Sequence, residues 1–273
     1  MNILHVWDQA GVSCILAKYQ RRLGHTVHIL KRNGYDPFHI FTFYKEPLYD
    51  LDGKKFINFV IGESKKYDII HVHSLYKIVP LIRKKYKDKT IILHYHGSEL
   101  RNGLSDISLH KLIKEADNKA NYVFLATPDL IKYDSEKRMY IENPIDLEHF
   151  KPIIMKKQTE KKFLTFKTNQ TDINSLTTYL QKNNIKNDVT IHDRTVMPIS
   201  YDHMPGFLSG YSVYVDIRIV NAQLLESLSK TALEALACNL QVLSYDLKYL
   251  NQFPSEHSAE NVVKKIMGIT ESF

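Results

Sequence analysis

A chain of 273 residues with 44% apolar content is long enough for one large or two modest domains with real cores, and that balance excludes a chain dominated by disorder. The formal charge of +7, carried mostly by the first half, points to an anionic partner: a phosphate-bearing substrate, an anionic membrane surface or nucleic acid. Cys14 and Cys238 form no CxxC pair, which excludes a disulfide framework or a thiolate zinc site, and no apolar run approaches the ~18 residues of a spanning helix.

Met1 leads directly into the strand-like NILHVW, without the pattern of a signal peptide, so a reducing, cytoplasmic setting is expected. A loop with Gly11, a helix from about Val12 to Leu23, a stop at Gly24 and the strand TVHIL complete one right-handed βαβ unit. The alternation continues through a helix near Phe56 to Tyr67, the strand DIIHVHS, a helix near Leu75 to Tyr86 and the strand TIILHYH. A helix near Ser108 to Asn118, then YVFLAT and RMYIEN, close this half. Continuous apolar strands between amphipathic helices predict a parallel sheet covered on both faces.

The charged, Pro-marked passage from Pro144 to Lys162 breaks the pattern and reads as an interdomain connection. The second half resumes with FLTFKT, a helix near Ile173 to Asn183, DVTIHD, a short helix near Met204 to Leu208, YVDI, a helix after Glu226, QVLSY and a terminal helix near Ala259 to Ile269. This predicts a second, smaller α/β domain.

Parallel sheets bind ligands at the carboxyl ends of their strands, so residues just after strands are the candidates. Gly11 follows the first strand, His96 and Gly97 follow TIILHY, and Asn143 with Pro144 follows RMYIE. In ESLSKTALEALACN, Glu226 lies in a loop and Glu234 inside the next helix, so that the two carboxylates can bracket a ligand at the helix N-terminus. Unpaired amides and the helix dipole favour an anion there, and a diphosphate is the natural guest. His71 with His73, and His94 with His96, form two H-x-H pairs that each lie on one face of a strand, a metal arrangement that supports a rival reading as a metal-dependent hydrolase.

The ordered set of the Gly11 loop with LAKYQRRLGHTVHIL, then DIIHVHS, HGSEL, ENPIDLEHFKP and MPGFLSGYSVYVDIR before the paired glutamates resembles the retaining GT-B glycosyltransferases of the family-4 type (glycosyl transferases group 1), as a short variant. The resemblance covers residues 2 to about 245. It implies two Rossmann-like domains with parallel sheets facing a central cleft. Residues 1–150 would form the acceptor-side domain and 151–273 a reduced nucleotide-sugar-binding domain, with the terminal helix packing back on the first. The implied reaction moves a sugar from a nucleotide-sugar donor to a hydroxyl of a glycan or lipid-linked acceptor, with retention and with no metal or other cofactor. His96 would contact the transferred sugar, Glu226 would bond donor-sugar hydroxyls near the reacting carbon, and Glu234 would accept from the ribose, while Gly11 permits close backbone approach.

The sequence departs from that family in ways that matter. Ser227 and Ser229 replace glycines after the first glutamate, Asn239 stands where a glycine usually ends the helix, and FLTFKTNQ carries no arginine for a diphosphate clamp. Lys230 is the expected substitute, helped by the Ser229 and Thr231 hydroxyls, with Lys167 second and Arg218 third. The reduced second domain keeps open a noncatalytic subunit that binds nucleotide or glycan. The basic stretch LYKIVPLIRKKYKDK suits an anionic membrane surface as well as a solvated helix end, and no nucleic-acid motif accompanies it.

Overall fold

The structure, a computed structural model, describes residues 1–131, 137–153, 161–167, 172–185, 188–220 and 223–271. The middle of the expected interdomain passage, 154–160, and the end of FLTFKTNQ, 168–170, lie outside them. Contacts divide the chain into two units: Met1–Pro144 with Ala259–Phe273, and Ile145–Ser258.

Unit 1 runs β1 (Asn2–Val6), α1 (Val12–Arg22), β2 (Thr26–Leu30), α2 (Ile40–Tyr44), α3 (Gly53–Glu63), β3 (Ile69–His73), α4 (Val79–Lys85), β4 (Thr90–Tyr95), α5 (Ser98–Ser105), α6 (Ile107–Lys119), β5 (Tyr122–Leu125) and β6 (Arg138–Tyr140). The strands form one sheet in the order β2-β1-β3-β4-β5-β6, each neighbouring pair parallel. Side chains alternate between its faces. One face sends Leu4, Val6, Ile70, Val72, Leu93 and Tyr95 into a core with Phe56 and Val60 of α3, Val79 and Ile82 of α4, and Ile113 of α6. Tyr95 reaches through that core to donate its hydroxyl to Asp117 Oδ1 at 2.8 Å, and Arg138 of β6 closes on the same carboxylate at 2.7 Å.

Unit 2 holds β7 (Phe163–Lys167), α7 (Ile173–Lys182), β8 (Val189–Asp193), α8 (Met204–Ser209), β9 (Val213–Val215), β10 (Ile219–Val220), β11 (Gln223–Leu224), α9 (Lys230–Ala237), β12 (Gln241–Leu243) and β13 (Tyr249–Leu250). Its sheet has the order β13-β12-β9-β7-β8, parallel except for β13, and β10 with β11 forms a separate antiparallel hairpin. Helix α9 ends on Asn239 with φ 67°, and the amides of Asn239 and Leu240 return to the carbonyls of Leu236 and Ala235. Asparagine therefore serves the left-handed stop that glycine usually fills.

The final helix, α10 (Ala259–Glu271), belongs to unit 1: Gln20 of α1 donates to Met267 Sδ at 3.8 Å, and Lys265 pairs with Glu142 at 2.8 Å. The boundary falls after Pro144, ahead of the expected border at 150, because the following residues bond within unit 2. Ile145 bridges to Ser258, and the His149 ring stacks on Tyr201 with centroids 4.7 Å apart. Helices α2 and α5 and the β10–β11 hairpin add to the elements expected from sequence. Each is short, and two-residue strands carry no readable period.

Candidate functional site

In unit 1 the loops after β1, β3, β4 and β5 carry the polar residues. Asp8, buried, accepts from the amides of Gly11 and Ser13 at 2.9 and 2.8 Å and from the Ser13 hydroxyl at 2.6 Å, and Lys31 stands 3.6 Å away. The start of α1 is thus capped by the protein's own carboxylate. Gly11 sits at φ 82°, where a side chain would be strained. Gly11 is buried, its amide is committed to Asp8 and its carbonyl accepts from the Ile15 amide at 3.0 Å, so it offers a ligand no free donor.

His96, half-buried, follows β4, and Gly97 behind it has φ 133°. Glu99 Oε1 accepts from the His96 amide and from Ser74 Oγ at 2.9 Å, which ties the ends of β3 and β4 together. Arg101 pairs with Asp129 at 2.7 Å beside this corner.

Behind His96 the H-x-H pairs stand on the sheet face opposite the apolar core, and the register His5↔His71 and His73↔His94 adds a fifth imidazole from β1. Gln20 Oε1 meets His5 Nε2 at 2.8 Å, His5 Nδ1 meets His73 Nε2 at 2.9 Å, and His73 Nδ1 meets His96 Nε2 at 3.1 Å. His71 Nε2 and His94 Nδ1 form a second pair at 3.2 Å, while His71 Nδ1 and His94 Nε2 are buried with no hydrogen-bond partner. Burial pushes His5 down to about 4 and His71, His73 and His94 well below the usual imidazole range; His96 is lowered too, against the pull of Glu99 and Asp8. Among the described residues two groups place one nitrogen of each ring within 4.8 Å of the others, His5–His71–His73 and His73–His94–His96.

In unit 2 the candidates gather at the start of α9. Ser229 caps the helix, its Oγ accepting from the Ala232 amide at 3.0 Å, and its own amide donates to buried Asp216 at 2.7 Å. Arg218 lies 3.3 Å from Asp216 and donates to the Ser227 carbonyl, so it holds the loop leading into α9. Lys230 and Glu234 form an ion pair one turn apart, both side chains about nine-tenths buried. Lys230 Nζ also lies 5.8 Å from the ring centres of both Phe150 and Tyr201. Thr231 is half-buried beside it, and Glu226 stands exposed in the loop ahead of the helix. Lys167, at the end of β7, is paired with Asp193 at 2.7 Å.

Four unit 2 residues at this site were not singled out from the sequence. Arg194, just after β8, lies over the Phe166 ring at 5.1 Å. Burial lowers its pKa while the Glu234 carboxylate acts the other way, so the two groups share one electrostatic neighbourhood. Asp216, at the end of β9, anchors the N-terminus of α9. His149 and Tyr201 flank Lys230, with His149 Nε2 on the Tyr201 carbonyl at 2.8 Å and its pKa lowered by burial. A strand-end position was the available signal for Arg194 and Asp216, and His149 lies within ENPIDLEHFKP; nothing local marked Tyr201.

Two α/β units, each built on a mainly parallel sheet with its polar residues after the strands, define a GT-B-like fold. The chain belongs to Glycosyltransferase Family 4, whose family model matches residues 12–149, just over half of its length. No curated protein matches the sequence. Among solved structures it is similar to the UDP-GlcNAc 2-epimerase of Methanocaldococcus jannaschii in complex with UDP-GlcNAc and UDP, at 12% identity, covering 98% of this chain and 100% of that one with a TM-score of 0.54. It is also similar to S. aureus MnaA in a UDP co-structure, at 11% identity over 99% of this chain and 88% of the other, TM-score 0.54. At such identities the likeness is one of fold. Among the described residues no helix is long and apolar enough to cross a membrane.

Proposed function

We propose that the protein is a retaining glycosyltransferase that moves a sugar, a hexose in the first instance, from a nucleoside diphosphate donor to an acceptor hydroxyl, with no metal required on the diphosphate. The observation that carries this reading is the Lys230–Glu234 pair, buried in the first turns of a helix that begins beside strand ends. A buried ammonium at a helix N-terminus favours a diphosphate, and fixed donors of this kind stabilise the charge that builds on a leaving group. Glu234 then accepts from the ribose and Ser229 and Thr231 add hydroxyls, while exposed Glu226 is free to meet the donor sugar. Arg194, sharing the Glu234 neighbourhood, joins Lys230 as the second cation, ahead of Lys167 and Arg218, which are held by Asp193 and Asp216. Within unit 1, His96 is the residue assigned to sugar recognition, with the Gly11 turn at the same carboxyl ends of the strands.

In this reading unit 2 takes the donor and unit 1 the glycan or lipid-linked acceptor. Lys84, Lys85 and Lys87 are exposed and suit an anionic membrane surface from the cytoplasmic side, whereas Arg83 is turned onto the carbonyls of Lys87, Lys89 and Lys119. UDP is the first nucleotide to try, because the structurally similar M. jannaschii epimerase and S. aureus MnaA are each seen with it. Calorimetry should find that Lys230→Ala weakens UDP binding by about tenfold or more, equivalent to losing one charge-assisted contact, with an unchanged circular dichroism spectrum. Unaltered affinity would remove Lys230 from the site. A panel of nucleotide sugars, read for transfer, hydrolysis and epimerisation, tests the reaction; binding with no turnover of any kind would leave a noncatalytic subunit.

A further inference from the structure

We propose that His73, His94 and His96 form a three-imidazole site for one first-row divalent metal ion, zinc foremost, at the carboxyl ends of β3 and β4. The site itself does not rest on the transferase reading.

The argument begins with proton positions. Gln20 Oε1 can only accept, so His5 Nε2 carries the proton and His5 Nδ1 is the acceptor for His73 Nε2–H. His73 Nδ1 is therefore a lone pair, which His96 Nε2 meets at 3.1 Å. The His71–His94 pair has no such closure. Whichever ring donates, one of the two outer nitrogens, His71 Nδ1 and His94 Nε2, is a buried donor and the other a buried acceptor, neither with a hydrogen-bond partner. Buried orphans of this kind are few in folded proteins and call for an explanation such as an ion.

If His94 Nδ1–H donates to His71 Nε2, His94 Nε2 becomes a second lone pair. His96 contributes the third when its proton moves from Nε2 to Nδ1, and no proton leaves the protein. One ring nitrogen from each of the three residues lies within 4.8 Å of those of the other two. The 3.1 Å separation of His73 Nδ1 from His96 Nε2 is close to the ~3.3 Å edge of a tetrahedron with Zn–N bonds of about 2.0–2.1 Å. The non-ligating nitrogens, His73 Nε2 and His94 Nδ1, are already held by His5 and His71, as metal-bound imidazoles require. Neutral imidazoles suit zinc, cobalt, nickel or copper rather than magnesium or calcium, and Glu99 and Asp8 bring negative charge within electrostatic reach of His96. The inner group, His5–His71–His73, is wholly buried and shares His73, so the chain holds one ion, at the outer group where half-buried His96 gives access.

With the ion in place His96 presents Nδ1–H outward. That consequence, unlike the site, rests on the transferase reading, in which the imidazole would donate to a sugar hydroxyl while the metal stays behind it.

The test is cobalt titration of the full chain after dialysis against a chelator, with metal analysis of the untreated protein. The expected result is one metal per chain and the visible absorption of four-coordinate cobalt. His94→Ala and, at the more tolerant strand end, His96→Ala should each weaken cobalt binding by at least ~100-fold, the upper bound seen for mere outer-sphere partners. His28→Ala, exposed on β2, should leave it unchanged. Zinc should also raise the Tm of the unmodified chain, a readout that needs no variant to fold. Failure of the unmodified chain to give the four-coordinate spectrum, or cobalt binding in folded His94→Ala and His96→Ala equal to the original, overturns the site. Loss of nucleotide turnover with metal binding intact would instead count against the transferase reading.

Discussion

The two faces of the unit 1 sheet are built from the same strands in strict alternation, yet they are held by different physics. On one side Leu4, Val6, Ile70, Val72 and Leu93 gain roughly 25 cal/mol for each Å² of apolar surface buried, a contribution indifferent to pH. On the other, His5, His71, His73 and His94 are just as buried, and they can be so only as neutral rings, most of whose nitrogens meet another polar atom. A face of leucines tolerates any protonation state of the solvent. A face of imidazoles does not.

Acid is therefore the strongest way to separate the two. Each buried imidazole keeps its proton off in the folded chain well below the 6.5 of a free imidazole, so below that pH the unfolded chain binds more protons and stability falls as pH drops. Four such rings together should remove on the order of 5 kcal/mol by pH 5.5, comparable to a whole folding free energy. Urea midpoints of chelator-treated protein from pH 8 to 5 measure this. A flat profile across that range would mean the rings are not buried neutral.

Leu93→Ala, one position from His94 but on the apolar face, should cost about 2–5 kcal/mol by leaving a cavity. The loss should be the same at pH 7.5 and pH 6, seen as a parallel displacement of the urea midpoints. A pH-dependent loss would show that the faces are coupled through the backbone.

The alternation IIHVH and ILHYH made β3 and β4 legible, and with them the H-x-H pairs, because a period of two is local. His5 could not be joined to the row from sequence, since its place depends on the register that sets it opposite His71. The glycine turn at Gly11 was readable, but not the Asp8 carboxylate folded back onto its amide, a local turn in which Trp7 and Ala10 take the positive φ that non-glycine residues seldom adopt. In unit 2 the α9 segment announced itself through the Ser229 cap and its alanines. Arg194 had only its strand-end position after β8 to mark it, and its place beside Glu234 depends on how the strands of unit 2 assemble.

The smallest effect tests the orphaned pair itself. His94→Leu alone removes the partner of His71 Nε2 and leaves that ring with both nitrogens unmet, so it should cost about 1–3 kcal/mol in metal-free protein at pH 7. The double replacement His71→Leu with His94→Leu removes every polar atom of the pair and substitutes side chains that suit an apolar sheet face. It should lie within about 1 kcal/mol of the original chain, because exchanging both partners for apolar groups of similar shape is nearly neutral. A double-mutant cycle in urea would then give a coupling that approaches the sum of the two single losses. Simple addition of the two losses would mean that the rings are stabilised by packing rather than by each other, and the contrast between the faces would reduce to one of shape.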